Sequence, residues 1–126
     1  MRENDISYVI RGCAFKVHTA LGPGLLESVY EAALSYELVS SGLQIRNQVG
    51  IPMKYENIVF DFGFRLDILV NDLVIVEVKS VESLLDIHHK QLLTYLKLLD
   101  KKLGLLINFN SLSLDQTAIK RIANKL

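Results

Sequence analysis

Phe64-Arg-Leu-Asp-Ile-Leu-Val-Asn-Asp-Leu-Val-Ile-Val-Glu-Val-Lys79 is the stretch whose reading decides the fold. Leu66, Ile68, Leu69 and Val70 have the composition of a strand, with Asp67 set among them. Leu73 to Val76 is a short unbroken apolar run, as in a strand buried on both faces, and it ends in Glu77-Val78-Lys79. Asn71-Asp72 between the runs is a turn signal, so the two segments are expected to form a hairpin. Ionisable groups inside apolar strands lose hydration, so their presence calls for a chemical reason.

Side chains on a strand alternate with a period of two, which puts Glu77 and Lys79 on one face and Val78 on the other. Two registers are open for Asp67. A two-residue loop pairs position 67 with 76 and sends Asp67 and Glu77 to opposite faces. A three-residue loop, or one bulge, pairs 67 with 77 and brings the carboxylates together. A functional role for both acids therefore predicts an irregularity here, since bulges concentrate beside active sites. Two carboxylates converging beside the carbonyl of Val78 offer hard oxygen ligands, which suit Mg2+ or Mn2+ rather than zinc. Lys79 would lie next to such an ion, where an ammonium can orient water or offset charge developing on a phosphate.

Asp67 followed by Glu77-Val78-Lys79 resembles the D…(D/E)-x-K signature of the PD-(D/E)XK nuclease superfamily. Leu66 stands where that signature often has proline. The resemblance implies a restriction-endonuclease-like α/β fold with an αβββαβ core, its mixed central sheet flanked by helices.

At 126 residues the chain suits one domain, 1–126, long enough to bury roughly two thirds of its unfolded surface. Fourteen basic and fourteen acidic residues cancel, which excludes the strongly positive field of a protein that grips nucleic acid by charge alone. Cys13 is the one cysteine, so no internal disulfide forms and a reducing cytoplasmic setting is expected. No apolar run reaches transmembrane length, and the opening residues do not resemble a basic signal-peptide start, so no membrane association is expected.

Ile6, Val9, Ile10, Cys13, Ala14, Val17 and Leu21 recur at helical spacing behind a cap at Asn4 or Asp5, with Gly22-Pro23 as the stop. Cys13 and His18 read as ordinary packing residues of that helix. A second helix follows Gly24-Leu-Leu-Glu-Ser-Val-Tyr30 and stops at Ser40-Ser41-Gly42. Gly24, Glu27 and Tyr30 resemble the G-x-x-E-x-x-Y motif of the GxxExxY protein family, a branch of the same superfamily. By that resemblance Glu27 supplies an auxiliary metal ligand. Read from the helix alone, Glu27 is a first-turn acid facing the helix dipole. Spacing places Glu27, Tyr30 and Glu31 on one face of the helix.

Residues 44–62 turn to alternation, with Ile45, Val49, Ile51, Met53 and Tyr55 set against polar neighbours and Glu56-Asn57 as a turn. Pro52 restricts that strand to an edge or a bulge, and Gly63 is a point where the next strand can bend. After Lys79, a cap at Ser80 or Ser83 opens a helix from about Leu84 to Asp100, with Leu85, Leu92, Leu96 and Leu99 inward. His88, Gln91 and Tyr95 share one stripe. The resemblance makes Gln91 and Tyr95, with Tyr30, a supporting shell for metal, water or phosphate. Periodicity alone makes the stripe a core boundary whose polar ends reach water. His88 and His89 diverge by about 100° and do not share an ion. Leu103 to Phe109 reads as a strand added in parallel, and Asp115 as the cap of a final helix through Ala118, Ile119, Ile122 and Leu126. Lys101, Lys102, Lys120, Arg121 and Lys125 form the basic clusters, most simply a solvated face. The expected order is thus the αβββαβ core with an extra N-terminal and C-terminal helix.

The resemblance implies metal-dependent hydrolysis of phosphodiesters in nucleic acid, DNA ahead of RNA, with Asp67, Glu77 and Val78 as ligands and Lys79 beside them. A homodimer would present two sites to one duplex. Two other readings stand beside it: a binding or assembly module on a nuclease scaffold, as fold alone does not decide function, and a small-molecule phosphoesterase. No helix rich in Arg, Asn or Gln is present to read bases.

Overall fold

Strand composition and turn chemistry translate into a five-stranded mixed sheet in the computed structural model, which describes residues 1–60 and 63–126. Asp61 and Phe62, at the end of the alternating stretch, lie outside the described residues. The elements are α1 (Glu3–Leu21), α2 (Glu27–Ser40), β1 (Ile45–Tyr55), β2 (Ile58–Val70), β3 (Val74–Lys79), α3 (Asp86–Leu99), β4 (Leu103–Asn108) and β5 (Ile119–Ala123). Sheet order follows chain order, β1-β2-β3-β4-β5, and only β3 and β4 are parallel, joined through α3. This is the expected αβββαβ core, with α1 before it.

Two apolar faces explain the layering. Ile68, Val70, Val74, Val76, Val78, Leu103, Leu105 and Ile107 pack under α1 and α2 with Ile6, Ile10, Leu34 and Leu38. Leu66, Leu69, Ile75 and Leu106 pack under α3 with Leu92, Tyr95 and Leu96. Gly104 lets α3 approach closely, because a Cβ there would meet Leu92 side-chain carbons at 3.0 Å. The centre of β3 and all of β4 are buried, as a strand covered on both faces requires.

Helix starts depart from the expected caps. Asp5 accepts the backbone N–H of Arg2 at 3.1 Å instead of serving as the cap itself. α3 begins after an exposed Leu85, whose N–H donates to His88 Nδ1 at 3.0 Å, and Ser80 and Ser83 play no capping part. Pro52 does what its missing N–H demands: β1 is an edge strand, and its register with β2 shifts between Ile51 and Met53.

The C-terminal segment is a strand, not the expected helix. Ile119 to Ala123 pairs antiparallel with β4, and Ile119 and Ile122 turn inward while Lys120 and Arg121 stay exposed. Ala118, Ile119 and Ile122 fit a helical spacing equally well. The difference is tertiary, since an open backbone edge on the buried strand β4 would leave unpaired N–H and C=O groups. Asp115 still caps, but only one turn: its Oδ1 accepts the Thr117 N–H at 2.8 Å, and the carbonyl of Asp115 accepts from Ala118 and Ile119. Among the described residues no helix is long and apolar enough to cross a membrane.

Candidate active site

Loop length settles the register. Ile68 pairs with Val76, Leu69 with Ile75 and Val70 with Val74, so residues 71–73 form a three-residue loop and position 67 comes opposite 77. Asn71 and Asp72 both take positive φ, 51° and 56°, and the Leu73 N–H closes the turn on the carbonyl of Val70 at 3.0 Å. Asn71 also exchanges hydrogen bonds with the backbone of Gln44, fixing the loop against the start of β1.

Beyond the Ile68–Val76 pair the two acids take over from the ladder. The Asp67 N–H donates to Glu77 Oε1 at 3.2 Å, and the Val78 N–H donates to Asp67 Oδ2 at 2.7 Å. Each carboxylate thus holds backbone belonging to the other strand. The predicted irregularity is also present. Ile68 and Val70 face α1 and α2, whereas Leu66 and Leu69 both belong to the core under α3, so the alternation of β2 breaks at Asp67. β1 breaks with it: Ile45 packs on the first core and Val49 and Ile51 on the second, with Gln48 between them at φ 51°. The surrounding register, Asn47 with Ile68 and Val49 with Leu66, sets Gln48 opposite Asp67.

Glu77 is 5% exposed. Burial, and then the neighbouring Asp67, push its carboxyl up to about 9 against an ordinary 4.5, and the charge of Lys79 offsets only part of this. Lys79 is half-buried on the same face of β3 and pairs in register with Asn108 of β4. Tyr95, 3% exposed on α3, packs edge-on against Phe64 with ring centroids 5.2 Å apart. Its hydroxyl is pushed up to about 12, by burial first and then by Glu77 and Asp67, and so stays a proton donor at any ordinary pH. Gln91 lies half-buried one helical turn before Tyr95.

α2 meets the acids through a residue other than Glu27. Glu27 is exposed in the first turn of the helix. Glu31, one turn further on, accepts Gln48 Nε2 at 2.7 Å and Asn47 Nδ2 at 3.1 Å, and the same Gln48 Nε2 lies 3.3 Å from Asp67 Oδ1. Burial and the charge of Asp67 raise the Glu31 carboxyl above its ordinary value, while the two amide hydrogen bonds oppose the rise. Sequence reasoning did not single out Gln48. Its signal was Pro52, because the slip there is what brings position 48 opposite 67.

Tyr30 is fully buried and works at a different place. Its hydroxyl donates to the carbonyl of Gly22 at 2.5 Å and accepts the Leu25 N–H at 3.1 Å, while its ring stacks on Phe109 at 4.7 Å. Gly24 has φ 97°, a conformation that favours glycine. The glycine and tyrosine of G-x-x-E-x-x-Y therefore build and lock the loop that precedes α2. That loop is tied to the end of β3, since Ser80 Oγ donates to the carbonyl of Leu25 at 2.6 Å.

The donor set fits a hard divalent cation. Two carboxylates with oxygen donors converge, and one is held protonated by its own burial, which is the condition a nearby positive charge relieves. Among the described residues no three His, Cys, Asp or Glu side chains come together as a ready-made cage. A two-carboxylate site completed by water is the manner in which Mg2+ is usually held.

A family model described as the PD-(D/E)XK nuclease superfamily matches residues 4–122. The chain belongs to this superfamily. No curated protein and no solved structure gives a significant match. Membership of the PD-(D/E)XK superfamily accounts for the αβββαβ order.

Proposed function

We propose that the chain hydrolyses phosphodiester bonds in nucleic acid, with Asp67, Glu77 and the carbonyl of Val78 holding Mg2+ or Mn2+. The observation that carries this reading is the mutual grip of Asp67 and Glu77 across β2 and β3, with Glu77 buried. When bound, the ion would supply a Lewis acid for water and for the phosphate oxygens. Glu77, already oriented by the Asp67 N–H, would hold the ion as a carboxylate, its proton passing to solvent. Lys79, on the same face, orients the attacking water or offsets charge on the phosphate. Tyr95 and Gln91 supply polar contacts on the α3 side, and the link from α2 runs through Glu31 and Gln48 rather than through the exposed Glu27. The G-x-x-E-x-x-Y wording of residues 24–30 supports placing the chain in the GxxExxY branch.

We take DNA as the preferred nucleic acid and a homodimer as the working form, because a small domain without net charge has little surface of its own for a duplex. The buried, unpaired Cys13 fits a cytoplasmic protein. That same charge balance favours the second reading, a module that cleaves only with a partner or only binds.

Cleavage of labelled single- and double-stranded DNA and RNA with Mg2+ or Mn2+ separates these readings. Activity in the wild type that is lost in both Glu77→Gln and Lys79→Met supports the nuclease. Absence of cleavage by folded, metal-binding wild type would favour the module. Hydrolysis of model phosphodiesters with none of nucleic acid would favour a small-molecule phosphoesterase.

A further inference from the structure

Gln48 holds a backbone conformation that its position does not favour. A non-glycine residue at φ 51° in the middle of an antiparallel strand is strained, and such residues persist only where their surroundings over-determine them. What surrounds Gln48 is a pair of carboxylates from different elements. Its Nε2 donates to Glu31 Oε1 of α2 at 2.7 Å and lies 3.3 Å from Asp67 Oδ1 of β2. Asn47, the preceding residue, anchors the second Glu31 oxygen at 3.1 Å and Ser35 Oγ at 2.9 Å. Glu31 is thus bound by amides from two successive residues of β1. Ordinary strand geometry would send these neighbouring side chains to opposite faces, and the positive φ at Gln48 is what lets both reach α2.

Asp67 is consequently held from two sides, by the Val78 N–H on one oxygen and by Gln48 on the other. Resting on the metal-site reading above, we propose that Gln48 is a positioning residue: anchored on Glu31, its amide fixes the rotation of the Asp67 carboxylate so that it meets the cation together with Glu77. The strained backbone at position 48 is the structural cost of that orientation.

Mn2+ titration, followed by the resonance signal of the free ion, tests this on the full chain. Gln48→Gly keeps the backbone conformation without strain and deletes only the amide, so the metal-free melting temperature should hold. Mn2+ affinity should drop by about tenfold, as for other residues that orient a metal ligand. Glu31→Gln, which removes the charge of the half-buried anchor on α2, should weaken binding in the same direction, and combining it with Gln48→Gly should add little further loss. Wild-type or tighter Mn2+ binding by Gln48→Gly, with binding lost in Asp67→Asn, would overturn the positioning role and leave the metal site standing. Unchanged binding in Asp67→Asn would overturn the metal site and the positioning role together. Independent, fully additive losses in the double variant would also overturn the role, because the two residues are argued to act as one unit.

Discussion

The backbone N–H of Asp67 donates to Glu77 Oε1 at 3.2 Å, while Asp67 itself accepts the N–H of the residue after Glu77. The acids therefore serve as the last rung of the β2–β3 ladder as well as the centre of the proposed site. Their chemistry and the stability of the hairpin are linked through protonation.

Glu77 should make the metal-free protein less stable as pH rises. Its folded value is raised to about 9 from 4.5, so between these values the unfolded chain releases a proton that the folded chain keeps. More protons bound in the folded state means that stability falls with increasing pH across this window and is fully retained below it. Melting temperature measured with chelator at several pH values should decline over this range, and Glu77→Gln should remove that decline. A flat wild-type profile would show that Glu77 ionises freely.

Added Mn2+ should raise the melting temperature, and by more at pH about 8 than at pH about 5.5, because at the lower value the ion competes with a proton on Glu77. In Glu77→Gln the rise should be small at both. Equal stabilisation of wild type and variant would place the ion elsewhere.

Lys79→Met should lower cleavage by about 100-fold while leaving Mn2+ affinity near wild type, since loss of one charge-stabilising group typically costs that much in rate. Single-turnover cleavage beside a Mn2+ titration checks both halves. A loss of affinity equal to the loss of rate would make Lys79 a structural residue.

Tyr30→Phe keeps the stacking on Phe109 but leaves the Gly22 carbonyl and the Leu25 N–H without their partner. A cost of about 1–3 kcal/mol in chemical denaturation is expected, with Mn2+ affinity unchanged. A large effect on Mn2+ binding at unchanged stability would instead put Tyr30 in the site.

Ile122→Ala should cost about 2–4 kcal/mol in the same assay, as for other truncations of buried aliphatic side chains. Ile122 is 3% exposed on β5 and belongs to the core under α3. An effect below about 0.5 kcal/mol, the range of surface substitutions, would mean that β5 is frayed from the sheet.

The hairpin, the pairing of acids and the order of elements up to β4 were legible because each rests on local chemistry. Asn71-Asp72 marks the turn, the apolar run of β3 marks a doubly covered strand, and the choice between loop lengths was reduced to two registers. The strand at residues 119–123 was not legible. Its two isoleucines three apart satisfy a helix as well as an edge strand covered on both faces, where Ile119 joins the core under α1 and α2 and Ile122 the core under α3, and only the demand of β4 for a partner separates the two readings. Gln48 was hidden for a related reason. Its relation to Asp67 depends on a register slip at Pro52 and on a positive φ that no residue type at position 48 announces. Nor did the spacing of α2 tell Glu27 from Glu31, since both lie on one face one turn apart, and contact with β1 is what distinguishes them.

The loop at residues 71–73 gives the chain an unusual intolerance of length. Hairpin tips ordinarily absorb insertions and deletions, because little else depends on them. Here the loop acts as a ruler: it fixes the Val70–Val74 rung, and a slide of β3 by one position against β2 would send Glu77 and Lys79 to the face now taken by Val78. Among descendants of this sequence, substitutions at Asp72 should therefore be common wherever positive φ is tolerated, Asn71 should be held by its bond to the Gln44 N–H, and a register slip between Asp67 and Glu77 should coincide with loss of the candidate site.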